Sequence, residues 1–153
     1  MKSATPKVLH EAGGRTLVGH VLAAVADLEP DHVVVVVGHG REQVVAHLAQ
    51  IAPDAVTVVQ EQQNGTGHAV RVALEGLDAA GIALDGGGPL LVVAGDTPLL
   101  AGSTLASLVD VHASEKAAST VLTAVLDDPT GYGRVLRDPA SGHVTGIVEQ
   151  KDA

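Results

Sequence analysis

Residues 90–100 read Leu-Leu-Val-Val-Ala-Gly-Asp-Thr-Pro-Leu-Leu, and this stretch indicates the fold class. The five apolar residues at 90–94 are typical of a strand that is buried on both faces of a sheet. The run stops at Gly95 and Asp96, which predicts a carboxylate at the carboxyl end of this strand. In open α/β sheets ligands bind at that edge, so Asp96 is a candidate metal ligand. The alternative is an ordinary turn or helix-capping aspartate.

Strand and helix patterns alternate on either side of this stretch. Helices are predicted at 17–28 (capped by Thr16), 41–51, 66–77 (capped by Thr66) and 103–112, and strands at 32–37, 56–60, 90–94 and 118–126. Residues 134–137 and 143–149 flank Pro-Ala-Ser-Gly and predict a β-hairpin. Alternation of this kind predicts an α/β fold, with a mainly parallel sheet, helices on both faces and a C-terminal β-hairpin.

The composition narrows the classes of function. The chain has 153 residues, 46% of them hydrophobic, and Tyr132 is its one aromatic residue, so aliphatic side chains must build the core. A net charge of −9 without a basic cluster argues against non-specific binding to nucleic acid or to an anionic membrane. The absence of cysteine rules out disulfides and thiolate metal sites. No apolar run reaches about 18 residues, and the expectation is a soluble cytoplasmic protein.

A polar loop at 60–68 is the first candidate binding segment. Gln60 ends a strand pattern, and Gln-Asn-Gly-Thr-Gly-His at 63–68 leads into a predicted helix. Amide side chains suit the donor and acceptor edge of a nucleobase, and exposed N–H groups at a helix start favour an anion. The alternative is a polar loop before an ordinary capped helix, with His68 as a packed or capping residue.

Two further groups of residues are candidates for ligand contacts. Lys7 follows Pro6 and could neutralise phosphate charge, or it could be an ordinary solvated lysine. Glu149 ends the apolar pair at 147–148, and its carboxylate is either an acceptor in a cleft or a surface group. The glycines beside Tyr132, including Gly133, would let a sugar approach the backbone. The Asp-Asp-Pro at 127–129 is more typical of a turn than of a metal site.

Taken together, five segments closely resemble one family, the bacterial bifunctional N-acetylglucosamine-1-phosphate uridyltransferase/glucosamine-1-phosphate N-acetyltransferases. They are residues 1–10, 60–69, 95–99, 127–134 and 146–153, and they follow the family's order along the whole chain. Each motif alone recurs in other sugar nucleotidyltransferases. Their conjunction with Asp-Pro-Thr-Gly-Tyr-Gly-Arg at 128–134 is much more specific.

The resemblance implies a Rossmann-like nucleotide-diphospho-sugar transferase fold and Mg²⁺-dependent transfer of UMP from UTP to N-acetylglucosamine 1-phosphate. The products would be pyrophosphate and UDP-N-acetylglucosamine, a precursor for the cell envelope. The implied catalytic residues are Lys7, at the phosphates, and Asp96, on Mg²⁺. The implied binding residues are Gln60, Gly65 and Thr66 for the uracil end of the nucleotide, and Gly95, Gly133 and Glu149 for the sugar. Such a reaction needs charge neutralisation and positioning rather than a covalent protein nucleophile.

The chain also departs from the family pattern. The family begins with a strand and a glycine-rich loop ending in Gly-Thr-Arg, just before the position of Met1. Its second metal ligand, an Asn, and its C-terminal β-helical acetyltransferase, through which full-length members form homotrimers, follow the position of Ala153. The expectation is therefore that 1–153 is a partial nucleotidyltransferase domain with little or no activity by itself.

Three other functions remain open on the sequence. One is another sugar nucleotidyltransferase of the same fold, and another is a non-catalytic nucleotide-binding module. The third is a nicotinamide-dependent oxidoreductase that uses the Gly-His-Gly turn at 38–40, which lacks the third glycine of a dinucleotide fingerprint.

Overall fold

The computed structural model describes residues 5–38, 41–62, 64–84 and 87–150. Backbone contacts divide the chain into two compact units, Met1–Lys116 and Ala117–Ala153. The first unit contains a 3-10 turn at Lys7–Leu9, strands β1 (Glu11–Ala12), β2 (Arg15–Thr16), β3 (Val34–Val37) and β4 (Val56–Val59), and helices α1 (Leu17–Ala26), α2 (Arg41–Ile51), α3 (Thr66–Ala79) and α4 (Gly102–Ser114). The second unit contains strands β5 (Arg134–Arg137) and β6 (Val144–Val148). None of the helices in the described ranges is both long and apolar enough to cross a membrane.

The centre of the first unit is the parallel pair of β3 and β4, joined by α2. Successive side chains of a strand point to opposite faces, so the valines of each strand divide between two sides. Val37 packs with Val18 of α1 and with Val44 and Leu48 of α2 in the buried core. Val58 points to the opposite face and packs against α3. The contact is close: a Cβ added at Gly76 of this helix would lie 3.0 Å from a methyl group of Val58. This pair of strands therefore has helices on both faces.

The start of α1 is tied to its surroundings by Thr16. The strands β1 and β2 pair antiparallel and turn at Gly13 and Gly14, whose φ angles of 60° and 79° favour glycine. The Thr16 hydroxyl accepts a hydrogen bond from the Gly19 N–H at 3.2 Å, so the predicted cap of α1 is confirmed. The same hydroxyl lies 2.8 Å from Nε2 of His47 and so links α1 to α2.

The four predicted helices are all present, with ends within two residues of the prediction. The predicted strands at 32–37 and 56–60 are shorter than expected, at Val34–Val37 and Val56–Val59. The predicted cap of α3 is wrong. Gly65 takes the cap position with a φ of 85° that strongly favours glycine, and Thr66 is instead the first helical residue.

Two predicted strands are absent from the described residues. Neither 90–94 nor 118–126 has the backbone pairing of a strand. The side chains of Leu90 and Val92 are 60% and 53% exposed, and Val125 is fully exposed. An apolar run favours burial of a segment, but a strand forms only when a neighbouring strand pairs with its N–H and C=O groups. Among the described strand pairs, β3–β4 is parallel and the other two are antiparallel.

The second unit is the predicted β-hairpin. The strands β5 and β6 pair antiparallel from Arg134 opposite Val148 onward, which confirms the prediction. In the turn, one carboxylate oxygen of Asp138 accepts hydrogen bonds from the N–H and hydroxyl of Ser141 at 2.7 and 2.8 Å. These two bonds hold the pKa of the Asp138 carboxyl below its ordinary value.

Candidate functional site

Gln60 lies at the carboxyl end of β4, where its backbone N–H donates to the Val37 carbonyl at 2.8 Å. Its side-chain nitrogen Nε2 donates to the Gly65 carbonyl at 3.3 Å and lies 2.8 Å from Nδ1 of His68. The amide therefore closes the loop between β4 and α3. Two predicted nucleotide-binding residues, Gln60 and Gly65, come into contact in this way, and the third, Thr66, directly follows Gly65.

The amino end of α3 faces this loop and carries no side-chain cap. Uncapped N–H groups and the helix dipole favour a negatively charged group at such an end. A Cβ placed on Gly67 would have no atom within 4 Å, so the first turn of the helix is open. This part of the loop can therefore receive an anionic or planar ligand.

Sequence reasoning missed two side chains at this edge of the sheet. It treated His68 as packed or capping, whereas in the structure its ring contacts the side chain of Gln60, eight residues earlier, across the loop. It also assigned no role to Arg41, the first residue of α2. The Arg41 guanidinium reaches both carboxylate oxygens of Glu61, at 3.1 and 3.2 Å, and braces the start of the loop. No signal in the sequence pairs these two charges.

A second contact joins Lys7 to Asp96. The Lys7 ammonium lies 2.5 Å from Oδ2 of Asp96, although the two residues are 89 positions apart. Val8 and Leu9 pack against the buried core and fix the turn that carries Lys7, and a Cβ on Gly95 would lie 3.8 Å from a methyl group of Val8. Both charges remain partly in water, with side-chain exposures of 69% for Lys7 and 35% for Asp96.

The loop around Asp96 is a tight turn rather than the end of a strand. The Thr97 hydroxyl donates to the Ala94 carbonyl at 2.8 Å, and the Leu100 N–H donates to the Thr97 carbonyl at 3.3 Å. No cluster of three or more His, Asp or Glu side chains suited to a metal occurs among the described residues. Mg²⁺ commonly uses one or two carboxylates together with substrate phosphates and water. A single carboxylate that already accepts an ammonium group fits a cation shared with a substrate, but not a site built by protein alone.

The remaining predicted site residues lie in the second unit, at the open end of the hairpin. Glu149 directly follows β6 and is exposed, and Gly133 directly precedes β5. A Cβ on Gly133 would lie 3.4 Å from the Val148 carbonyl, so this glycine allows the two chain segments to approach closely. The structure therefore brings Gly133 and Glu149 to one end of the hairpin.

The segment before β5 is a hydrogen-bonded turn, as its sequence indicates. The Asp128 carboxylate accepts from the Thr130 hydroxyl at 2.6 Å and from its N–H at 3.1 Å, and these bonds lower the pKa of Asp128. Nη1 of Arg134 donates to the carbonyls of Pro129, at 2.9 Å, and Tyr132. The Asp128 carboxylate thus has a structural role in this turn.

An open groove of about 850 Å³ lies at the opposite, amino edge of β3 and β4. Its walls include His32, Val33 and Val56, and none of the predicted site residues lines it. Ligands of open α/β sheets bind at the carboxyl ends of strands, and Gln60 directly follows the carboxyl end of β4. We therefore place the candidate site at the carboxyl edge rather than in this groove.

Comparisons with known proteins agree on one family. The family model described as a MobA-like NTP transferase domain matches residues 1–145. Over all 153 residues the chain is 63% identical to the bifunctional protein GlmU of Streptomyces coelicolor and 60% identical to that of Thermobifida fusca, and it covers 31% of each. It is 52% identical to the GlmU protein of Cutibacterium acnes, of which it covers 35%. The chain thus spans about a third of the length of the curated relatives that it matches.

Proposed function

The chain belongs to the MobA-like NTP transferase domain family, and from that premise we propose that it is a uridyltransferase domain. The proposed reaction transfers UMP from UTP to N-acetylglucosamine 1-phosphate and releases pyrophosphate. Identities of 60 to 63% with GlmU proteins support this choice over other sugar nucleotidyltransferases. We further propose that residues 1–153 form part of one cytoplasmic nucleotidyltransferase domain, whose sheet is mainly parallel and which supplies cell-envelope precursors.

The contact between Lys7 and Asp96 carries this proposal. It sets one cation and one carboxylate side by side at the end of the apolar run, and binding of a magnesium-bound triphosphate requires both kinds of charge. In the proposed reaction, a phosphate oxygen of the sugar phosphate attacks the α-phosphorus of UTP, and the bond to pyrophosphate breaks. Lys7 neutralises charge on the phosphates, and Asp96 holds Mg²⁺. When bound, Mg²⁺ supplies further neutralisation and alignment of the triphosphate.

The nucleobase and the sugar are assigned to separate groups of residues. Gln60, Gly65 and Thr66 bind the uracil end, because they form an amide-lined loop at an uncapped helix start. Gly95, Gly133 and Glu149 bind the sugar, with the Glu149 carboxylate accepting from a hydroxyl or amide group of the sugar. These assignments require no covalent intermediate on the protein.

Binding of UTP in the presence of Mg²⁺, measured by calorimetry, tests the proposal on the chain as it stands. We expect UTP to bind more tightly than ATP or CTP, and Asp96→Asn to weaken UTP binding at least tenfold. Asp110→Asn, on the exposed face of α4, is the matched control and should leave binding unchanged. A preference for another base, or UTP binding that is independent of Asp96, would overturn the proposal.

Turnover is measured separately, as release of pyrophosphate after addition of N-acetylglucosamine 1-phosphate. Release that depends on Asp96 supports the transferase assignment. Tight UTP binding without any release, even in a fusion with the remaining segments of a longer relative, would instead identify a non-catalytic nucleotide-binding module.

A further inference from the structure

The side-chain amide of Gln60 is held in one orientation by two contacts on the same nitrogen. Nε2 donates to the Gly65 carbonyl at 3.3 Å and lies 2.8 Å from Nδ1 of His68. A carbonyl oxygen can only accept a hydrogen bond, so the NH₂ group of the amide must face Gly65. The same NH₂ group then faces His68, and the oxygen Oε1 points away from both.

This orientation of the Gln60 amide defines the tautomer of the His68 ring. Its Nδ1 must accept from the amide, so the proton of the neutral ring is on Nε2. The two contacts use both N–H groups of the Gln60 amide. No hydrogen bond from the described residues reaches Oε1, which leaves that oxygen available to a ligand.

Both side chains are attached to regular structure. Gln60 is anchored to β3 through its backbone N–H, and His68 lies in the first turn of α3. The contact therefore bridges the end of a strand and the start of a helix across the polar loop. A site held by such elements keeps its geometry better than one formed by loop residues alone.

We propose that His68 is a positioning residue that makes the site selective for a nucleobase with a ring N–H. It fixes the Gln60 amide so that Oε1 accepts from the imide N–H of uracil. The corresponding ring nitrogen of cytosine carries a lone pair instead, which would face Oε1 without a hydrogen bond. This inference rests on the proposed function, because it requires that Gln60 contacts the base.

A pair of matched substitutions tests the role of His68. His68→Asn keeps an acceptor near the position of Nδ1, whereas His68→Leu has a similar volume and no acceptor. The readout is the ratio of the affinities for UTP and CTP, measured by calorimetry in the presence of Mg²⁺. We expect His68→Asn to keep the ratio and His68→Leu to lower it about five- to tenfold, as expected for loss of one positioned hydrogen bond.

A purely structural role for His68 would lower both affinities together and leave the ratio unchanged, and that result would overturn the proposal. Equal loss of selectivity in His68→Asn and His68→Leu would overturn it as well. In a Gln60→Leu background, His68→Leu should no longer change the ratio, because the amide that it orients is absent. His143→Leu, in the exposed hairpin turn, should leave the ratio unchanged.

A ligand-free measurement separates this inference from the proposed function. In the ¹⁵N-labelled chain, we expect a scalar coupling across the hydrogen bond between Nε2 of Gln60 and Nδ1 of His68, which His68→Leu abolishes. Selective UTP binding without this coupling would refute the role of His68 alone. If the coupling is observed but the unmodified chain does not bind UTP, the proposed function is refuted, and the base selectivity with it.

Discussion

The packing of α3 on β4 should make Gly76 intolerant of even one added methyl group. A Cβ at this position would overlap one methyl group of Val58 and lie 3.0 Å from the other and 3.3 Å from its Cβ. Overpacking of this kind costs about 1–3 kcal/mol. Replacing glycine by alanine inside a helix returns about 1 kcal/mol of helix propensity. We therefore expect Gly76→Ala to lower the free energy of unfolding by about 0–2 kcal/mol.

The same helix offers a matched control. A Cβ on Gly67 would have no atom within 4 Å, so Gly67→Ala gains helix propensity of at most about 1 kcal/mol without any steric cost. The difference between the two variants isolates the packing term and should be about 1–3 kcal/mol. Val58→Ala should cost about 1–2 kcal/mol less in the Gly76→Ala background than in the unmodified chain, because it removes the methyl groups that the added Cβ overlaps.

Urea denaturation followed by far-UV circular dichroism measures these values. Fluorescence would not serve, because the chain has no Trp and its one Tyr, Tyr132, belongs to the unit Ala117–Ala153, whereas α3 belongs to the unit Met1–Lys116. Equal stability of Gly76→Ala and Gly67→Ala, or the absence of coupling with Val58→Ala, would show that α3 does not pack on β4 through Gly76.

Three further predictions address the helix cap, the ion pair and the hairpin turn. Thr16→Ala should lower the free energy of unfolding, measured by urea denaturation, by about 1–2 kcal/mol, whereas Thr16→Ser, which keeps the hydroxyl, should retain most of the stability. Equal losses of stability in the two variants would contradict the capping role. Lys7→Met should weaken UTP binding in the presence of Mg²⁺ about fivefold, measured by calorimetry, because the cation that neutralises the phosphates is removed, and Lys7→Arg should keep most of the affinity. Unchanged UTP affinity in Lys7→Met would contradict the proposed role of Lys7. Because the pKa of Asp138 is lowered, its turn is stabilised above the ordinary pKa of 3.8 and loses this contribution as the pH falls through the folded-state pKa. The protection factor of the Ser141 amide, which corrects the exchange rate for its intrinsic pH dependence, should therefore fall only in acid, and Asp138→Asn should remove this dependence.

Helices and the hairpin could be predicted because their signals are local. The backbone hydrogen bonds of α1 close within four residues, and Thr16, directly before it, supplies the cap. The Pro-Ala-Ser-Gly turn likewise brings β5 and β6 together over a short loop. Motif resemblance also singled out Lys7 and Asp96, which the structure brings into contact, and their catalytic roles stay a prediction.

The amino-acid sequence by itself thus determined the helices, the valine-rich parallel pair, the hairpin and the family. Only the tertiary structure decided that 90–94 has no strand partner among the described residues, that Lys7 contacts Asp96 and that His68 contacts Gln60. Strand pairing depends on a neighbour that the segment itself does not specify. Contacts between side chains far apart along the chain depend on how the core positions the turns that carry them. Val8 and Leu9, for example, pack against the core and so position the turn that carries Lys7.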